Sequence, residues 1–553
     1  MPNLRTGGKI LIDQLAIHGV AYVFSVPGES FLAALDALFD TPSIRFITCR
    51  HEGGAAMMAE AAGKLGGRPG VAFVTRGPGA ANAMAGLHVA EQDETPMLLL
   101  VGLPPNGFEG RGAFQEFSLE RMFASVVKWA AVVRDAGRIP EFVARAMHLS
   151  TSGRPGPVVL GLPEDVLEAV VDVSDAKPWR ALDIAPPPDQ LTALWGMLKD
   201  AEQPICIVGG PGWSRQAGAD LETFASRFDL AVATAFRAQD YIDNRHPSFA
   251  GHLGIGIEGK LAAAVRSADL LVVIGAPLGE ISTGGFTLLD PANPRQRLVH
   301  VRPSPDALNG LYQADLPIVA TTAAFMRALA SLDPPALRPW ATLRRDLRLA
   351  CEVWARPVGT TDGLGLARCI ELASAKLAEQ TIVTNGAGNY AAFLHRHFSY
   401  KGFRTQIAPA SGSMGYGLPA AIAAKLLQPS RPVVAFAGDG CFLMTAMELA
   451  TAVQYSLPVV VIVSNNGMYG TIRMHQERHY PQRVIGTSLV NPDFASLARS
   501  FGAHGERVTH LDEFEPALNR AFASGGPAVI ELSVDPEAIT PQQSISALRR
   551  ANI

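Results

Sequence analysis

Short, nearly uninterrupted apolar runs recur along the chain, separated by longer stretches in which apolar residues return every three or four positions. Residues 20–26, 71–75, 97–101 and 158–160 form such runs in the first third. Residues 205–208 and 270–274 do so in the middle, and 382–384, 433–437 and 459–463 in the last third. Runs this short read as strands, and the alternation with helical stretches predicts parallel sheets covered by helices on both faces. Ile10, Leu11, Leu15 and Ile17 mark one face of a first helix, closed by Gly19. Lys9, Asp13 and Gln14 interrupt that stretch, so it does not read as a secretory signal.

Two proline-rich segments break the pattern. Residues 172–190 hold Pro178, Pro186, Pro187 and Pro188, and residues 332–360 hold Pro334, Pro335, Pro339 and Pro357, with a helical stretch between Trp340 and Trp354. Taken as linkers, they leave three blocks at about 1–175, 190–335 and 360–540. No short-period repeat is visible. The predicted fold is therefore α/β, with three doubly wound parallel-sheet domains.

Composition narrows the classes. At 553 residues with 48% hydrophobic and 18% charged side chains, the chain has ample apolar surface to bury. A net charge of −4 gives no footprint for nucleic acid or an anionic membrane. No run reaches the roughly 18 apolar residues of a membrane span. The five cysteines, Cys49, Cys206, Cys351, Cys369 and Cys441, include no CxxC pair, and a reducing cytoplasm suits them.

The strongest chemical signal is Gly438-Asp439-Gly440 at the end of the apolar run 433–437. A helical stretch from Thr445 to Gln454 follows, and then the run 459–463 leading to Asn465-Asn466. Polar residues thus stand at the carboxyl ends of two parallel strands, the edge at which open α/β sheets bind ligands. Magnesium prefers six oxygens and commonly takes one or two protein carboxylates plus phosphate oxygens. Asp439 offers a charged oxygen, Asn466 a neutral one, and the carbonyl of Met468 a third. The glycines let backbone approach a diphosphate closely. On its own, GDG after a strand reads better as a tight turn; the strand context and the Asp-to-Asn spacing together favour the metal site.

GDG followed by a double Asn one helix and one strand later resembles the signature of thiamine-diphosphate enzymes. The run Ser411-Gly412-Ser413-Met414-Gly415-Tyr416-Gly417-Leu418-Pro419-Ala420-Ala421 resembles the acetolactate synthase branch of that family. So do Ala113-Phe114-Gln115-Glu116 and Gly153-Arg154-Pro155-Gly156-Pro157-Val158. The resemblance runs from about Gly8 to Leu532. It implies a pyrimidine-binding domain first, a central domain second and a diphosphate-binding domain last.

It also implies roles for individual residues. Glu52, in Arg50-His51-Glu52, corresponds to the glutamate that bonds the aminopyrimidine ring nitrogen and drives activation of the cofactor. Read from the residues alone, it is a favourable charge at a helix N-terminus. Met414 corresponds to the apolar wedge beneath a bent cofactor, and the carbonyl of Gly412 receives the cofactor's amino group. Asn389, with Gly388, Gly438, Gly440, Cys441, Tyr469 and Gly470, falls at the diphosphate. Pro27, Asn82 and Gln115 fall near Glu52 and the thiazolium. The implied cofactors are thiamine diphosphate and Mg2+. The implied assembly is a homodimer or homotetramer whose sites are shared between subunits, acting on a 2-oxo acid such as pyruvate.

Four features depart from the pattern. Glu29, in Pro27-Gly28-Glu29, stands where synthases carry a small residue and simple decarboxylases an aspartate, which could protonate the product and release an aldehyde. His475 stands where synthases carry a tryptophan, although a surface histidine on a helix explains it equally well. Arg76 stands where a serine is usual. In Ile274-Gly275-Ala276-Pro277-Leu278-Gly279-Glu280 the arginine of flavin-binding members is missing, and the glycine-rich Gly209-Gly210-Pro211-Gly212 reads equally well as a turn, so FAD is a doubtful expectation. The leading expectation is decarboxylation followed by carboligation. A non-ligating decarboxylase is the alternative within the same chemistry, and a catalytically silent homologue the alternative outside it. A dehydrogenase reading fails for want of GxGxxG after the first strand.

Overall fold

A computed structural model describes residues 4–357 and 364–551. The end of the second proline-rich segment and the start of the block predicted at 360 lie outside them. Among the described residues there are three six-stranded sheets, and every strand pairing within them is parallel. The three doubly wound domains expected from the apolar runs are therefore present. The inner strands are almost wholly buried: each residue of Met97–Leu103, Pro204–Val208 and Leu270–Ile274 is buried. A parallel sheet covered on both faces needs such runs in place of strict alternation.

The N-terminal sheet has the order Arg45–Thr48, Tyr22–Ser25, Gly70–Thr75, Met97–Leu103, Pro157–Pro163, Trp129–Val132. The C-terminal sheet has Gln406–Ile407, Ile382–Asn385, Val433–Gly438, Val459–Asn465, Ala528–Ser533, His504–Val508. Numbered along the chain, both read 2-1-3-4-6-5. In both, the order reverses beside the first strand, so the loops after the first and third strands flank the switch point where ligands bind. In the N-terminal sheet those loops carry Glu29 and Arg76. In the C-terminal sheet they carry Gly388-Asn389 and Asp439. The central sheet reads 3-2-1-4-5-6.

By packing, the described residues form two compact units. One comprises Met1–Leu182, Pro409–Pro429 and Thr445–Leu457; the other comprises Asp183–Ala408, Ser430–Met444 and Pro458–Ile553. The first unit contains the N-terminal sheet. Its first helix, Gly7–Ile17, is capped by Thr6, whose hydroxyl accepts the Lys9 N–H at 3.1 Å, and ends before Gly19 at φ +77°. A short ribbon pairs Leu4–Thr6 with Val170–Asp172.

The second unit holds the central and C-terminal sheets. The helix Ala341–Ala355, in the stretch read as a link, belongs to the central core. Trp340 is buried there and donates its indole N–H to the Phe228 carbonyl at 2.8 Å, while Leu347 and Cys351 pack inward. Its apolar face cannot remain in a free linker. The GDG turn also differs from expectation: Asp439 begins a short helix, Asp439–Leu443, and Gly438 ends the strand.

Candidate active site

In the first unit, the strand Arg45–Thr48 leads into the helix Glu52–Gly66, with His51 as its N-cap and Glu52 in the first turn. The Glu52 carboxylate accepts the Asn82 amide at 2.9 Å. Asn82 lies on the helix Arg76–Gln92, which starts at the end of the neighbouring strand. That helix start gathers the predicted residues. A Cβ on Gly79 would touch Thr75 at 3.3 Å and Glu52 at 3.4 Å, and one on Gly28 would meet Thr75 at 2.4 Å. The Ser30 hydroxyl is 2.8 Å from that of Thr75, and Gly77 donates its N–H to the Gln115 carbonyl at 3.1 Å. Gln115 itself sits at φ +60°. One turn thus touches the segments bearing Glu29, Glu52 and Gln115, and Pro27 lies at the exposed start of the same loop.

Sequence reading missed Glu448. It is fully buried and accepts the N–H groups of Arg50 at 3.1 Å and His51 at 3.0 Å, with the Thr451 hydroxyl at 2.7 Å. Burial pushes its carboxyl above the ordinary range, and these hydrogen bonds oppose that shift. It therefore fixes the two residues before Glu52. The signal was an acid inside an otherwise apolar stretch, which has to find partners when buried. Glu448→Ala should cost about 1–3 kcal/mol for each N–H left unpaired and lower activity by misplacing Glu52. Thermal melts read together with turnover will check this.

The loop bearing Gly412 and Met414 packs in the same unit. The N–H groups of Ala410 and Ser411 donate to the Asp93 carboxylate at 2.9 and 3.0 Å. The Tyr416 hydroxyl bonds the buried Glu60, which also lies 3.2 Å from the Lys64 ammonium. Gly412, at φ +73°, is exposed and Met414 half-buried.

In the second unit, Asp439 is 3% exposed. It accepts the Gly440 N–H at 2.9 Å and the Asn491 amide at 2.8 Å. Burial pushes its carboxyl up, against those hydrogen bonds and others from Gly467 and Met468. Asn466 accepts the Met468 N–H at 3.2 Å. Met468 faces Ser488 in an isolated bridge whose two hydrogen bonds use the carbonyls of Gly467 and Thr487, so its own carbonyl is left out of that pairing.

A buried carboxylate beside a neutral amide and a carbonyl outside the bridge pairing is an oxygen set suited to magnesium, and a cation there would offset the desolvation of Asp439. Asn491 also bonds Asn465 at 2.9 Å. Nothing in the spacing of the sequence pointed to it.

Backbone close to these groups is shaped by two aromatic rings. Tyr390 lies under Gly388 and Gly438, where added Cβ atoms would come within 3.1 and 2.9 Å of its ring. Its hydroxyl is 3.3 Å from the Cys441 sulfur. Tyr469 covers Gly440, where a Cβ would fall at 2.5 Å. Asn389 ties the Thr471 hydroxyl at 2.9 Å to the Ile539 carbonyl at 2.8 Å. Gly470 opens the helix Gly470–His479, on which His475 is exposed and stacked on His479 with centroids 6.1 Å apart.

Models of the thiamine pyrophosphate enzyme domains match this chain three times: the N-terminal binding domain over residues 5–122, the central domain over 191–329 and the C-terminal binding domain over 386–532. This chain belongs to the thiamine pyrophosphate enzyme family. An acetolactate synthase large subunit from Parasynechococcus marenigrum is 31% identical over 96% of this chain and 88% of its own length. The isozyme 2 large subunit from Escherichia coli is 30% identical over 96% of this chain and 95% of its own. The mitochondrial catalytic subunit from Saccharomyces cerevisiae is 29% identical over 96% and 81%. The protein is a thiamine pyrophosphate-dependent enzyme whose decarboxylation and carboligation chemistry resembles that of acetolactate synthase.

In this family member a charged latch holds the helix that follows Asn466. Glu477, fully buried, accepts from Arg549 at 2.9 Å and from Arg473 at 2.9 Å. Led by Arg549, these partners pull its carboxyl down to about 2 from an ordinary 4.5. The stabilisation is complete above the ordinary value and is lost as pH falls toward the depressed one. Glu477→Gln should therefore be less stable at neutral pH and lose less stability on acidification. Denaturant melts across that range will test it.

Proposed function

We propose that this enzyme decarboxylates a 2-oxo acid such as pyruvate and joins the remaining carbon to a second carbonyl compound, with Mg2+ holding the cofactor's diphosphate. The observation that carries the reading is the placement of Asp439, Asn466 and the Met468 carbonyl at the carboxyl edge of the C-terminal sheet. When bound, thiamine diphosphate supplies the electron sink for the carbon freed by decarboxylation. Glu52, steadied by the Asn82 amide, would hold and release a proton at its carboxyl as the general acid–base group for the bound cofactor. Asp439, Asn466 and Met468 would provide oxygens to the metal. Gly388, Gly438 and Gly440 allow backbone to approach the diphosphate, together with Asn389, Cys441, Tyr469 and Gly470. The Gly412 carbonyl, Met414 and Gln115 would line the part of the site that takes the cofactor's rings.

The reading includes no flavin. At the switch point of the central sheet, the glycine turn is satisfied by the chain itself. Trp213 donates to the Gly209 carbonyl at 2.9 Å, and Tyr241 donates to that of Gly210 at 2.8 Å. A Cβ on Gly210 would fall 1.9 Å from the Gly275 carbonyl oxygen.

Two copies of the chain, one giving Glu52 and the other Asp439, would complete each site in a dimer or tetramer. Among the described residues no helix is long and apolar enough to cross a membrane, and the reading places the enzyme in the cytoplasm. The test is incubation with thiamine diphosphate, magnesium and a panel of 2-oxo acids, with products separated by mass spectrometry. Hydroxyketones or 2-hydroxy-2-alkyl acids support ligation. Aldehyde as the sole product from every donor overturns it.

A further inference from the structure

The loops flanking the N-terminal switch point carry two residues that depart from the family pattern, Glu29 and Arg76, and the structure pairs them. The Arg76 guanidinium is buried at 8% exposure. It donates to Glu164 at 3.0 Å and lies 3.6 Å from the Glu29 carboxylate. Its Nε–H is buried without a partner. The Glu29 side chain is 70% exposed. Two carboxylates therefore share one cation, and Glu29 is the more exposed of the two. Among the described residues no other cation pairs with Glu29. Thr75, against Gly28 and Ser30 on one side and Gly79 on the other, links this group to the segment bearing Glu52.

Resting on the carboligase reading above, we propose that Glu29, held by Arg76, which Glu164 anchors in turn, selects the acceptor. It favours an uncharged carbonyl compound, an aldehyde bearing a hydroxyl best of all, over a second 2-oxo acid anion. The reaction balances without an added oxidant. The donor's bond between carbonyl carbon and carboxylate breaks and CO2 leaves. The electron pair left behind forms the new bond to the acceptor's carbonyl carbon, whose oxygen takes a proton. A carboxylate at this edge repels an acceptor carboxylate and accepts a hydrogen bond from a hydroxyl. Arg76 acts as a positioning residue: it partly neutralises Glu29 and keeps it in place.

The test uses the full chain with thiamine diphosphate, magnesium and carboxyl-labelled pyruvate, with glycolaldehyde and 2-oxobutyrate competing as acceptors. Labelled CO2 and the ratio of the two products are read together. Wild type should favour the glycolaldehyde product. Glu29→Gln should move the ratio toward the 2-oxobutyrate product by about 5-fold, the worth of one solvent-screened charge. Arg76→Gln, combined with Glu164→Gln to avoid leaving a half-buried carboxylate without its cation, should move it the other way, and Arg76→Lys should keep most of the wild-type ratio. Shifts of opposite sign separate charge selection from simple loss of structure. CO2 release with an unchanged ratio in Glu29→Gln, or shifts of the same sign in both variants, overturns acceptor selection alone. Absence of CO2 from every 2-oxo acid donor overturns the carboligase reading and this proposal with it.

Discussion

Asp439→Ala should abolish retention of thiamine diphosphate, weakening its magnesium-dependent binding by more than about 100-fold. Changing groups that merely support a metal ligand costs about 10–100-fold, so removing the one carboxylate of the proposed set should cost more. Asp439 is nearly buried, and its hydrogen bonds from Gly440 and Asn491 aim it beside Asn466 and Met468. Asn491→Ala removes only that support and should fall within the about 10–100-fold range. Calorimetric titration of the cofactor with and without magnesium measures both. Binding in Asp439→Ala that equals wild type would remove Asp439 from the metal site.

Glu52→Gln should keep the fold and bind the cofactor, but slow exchange of the thiazolium proton by about 10²–10⁴-fold, the usual worth of a positioned general acid or base. The amide is nearly the same size, and Asn82 can still bond its oxygen, so packing is preserved. Acid-quenched hydrogen–deuterium exchange followed by NMR reports that step apart from substrate turnover. Exchange at the wild-type rate would leave Glu52 as a charge at a helix N-terminus and nothing more.

The two results read differently against Glu448→Ala. That variant should lose stability and activity together, because it frees the backbone of Arg50 and His51. Glu52→Gln should lose activity with little change in melting temperature, since its carboxylate is bonded by Asn82 at the surface of the unit and supports no buried backbone.

The sequence by itself determined the class of fold, because parallel sheets covered on both faces demand runs such as 433–437 and 459–463 that are apolar at every position. It also determined where the polar residues of the C-terminal sheet stand. Asp439, Asn466 and Met468 are placed by the ends of adjacent strands, and strand ends are legible from the runs that precede them. The edge strands were harder to read. Trp129–Val132 and Leu316–Val319 span four residues each and are only partly buried, and Gln406–Ile407 spans two, so each gives a short signal.

Only the tertiary structure decided what depends on residues far apart in the chain. The shared strand order of the N- and C-terminal sheets is a repeat of topology without a repeat of sequence. Many different apolar runs can occupy the same buried strand, so the architecture recurs where the residues do not. The pairing of Arg76 with Glu29 and Glu164, and of Glu448 with the backbone before Glu52, likewise joins groups from separate loops. A charged side chain in a sequence shows that a partner is needed once it is buried. Which partner it meets is set by how the strands are ordered.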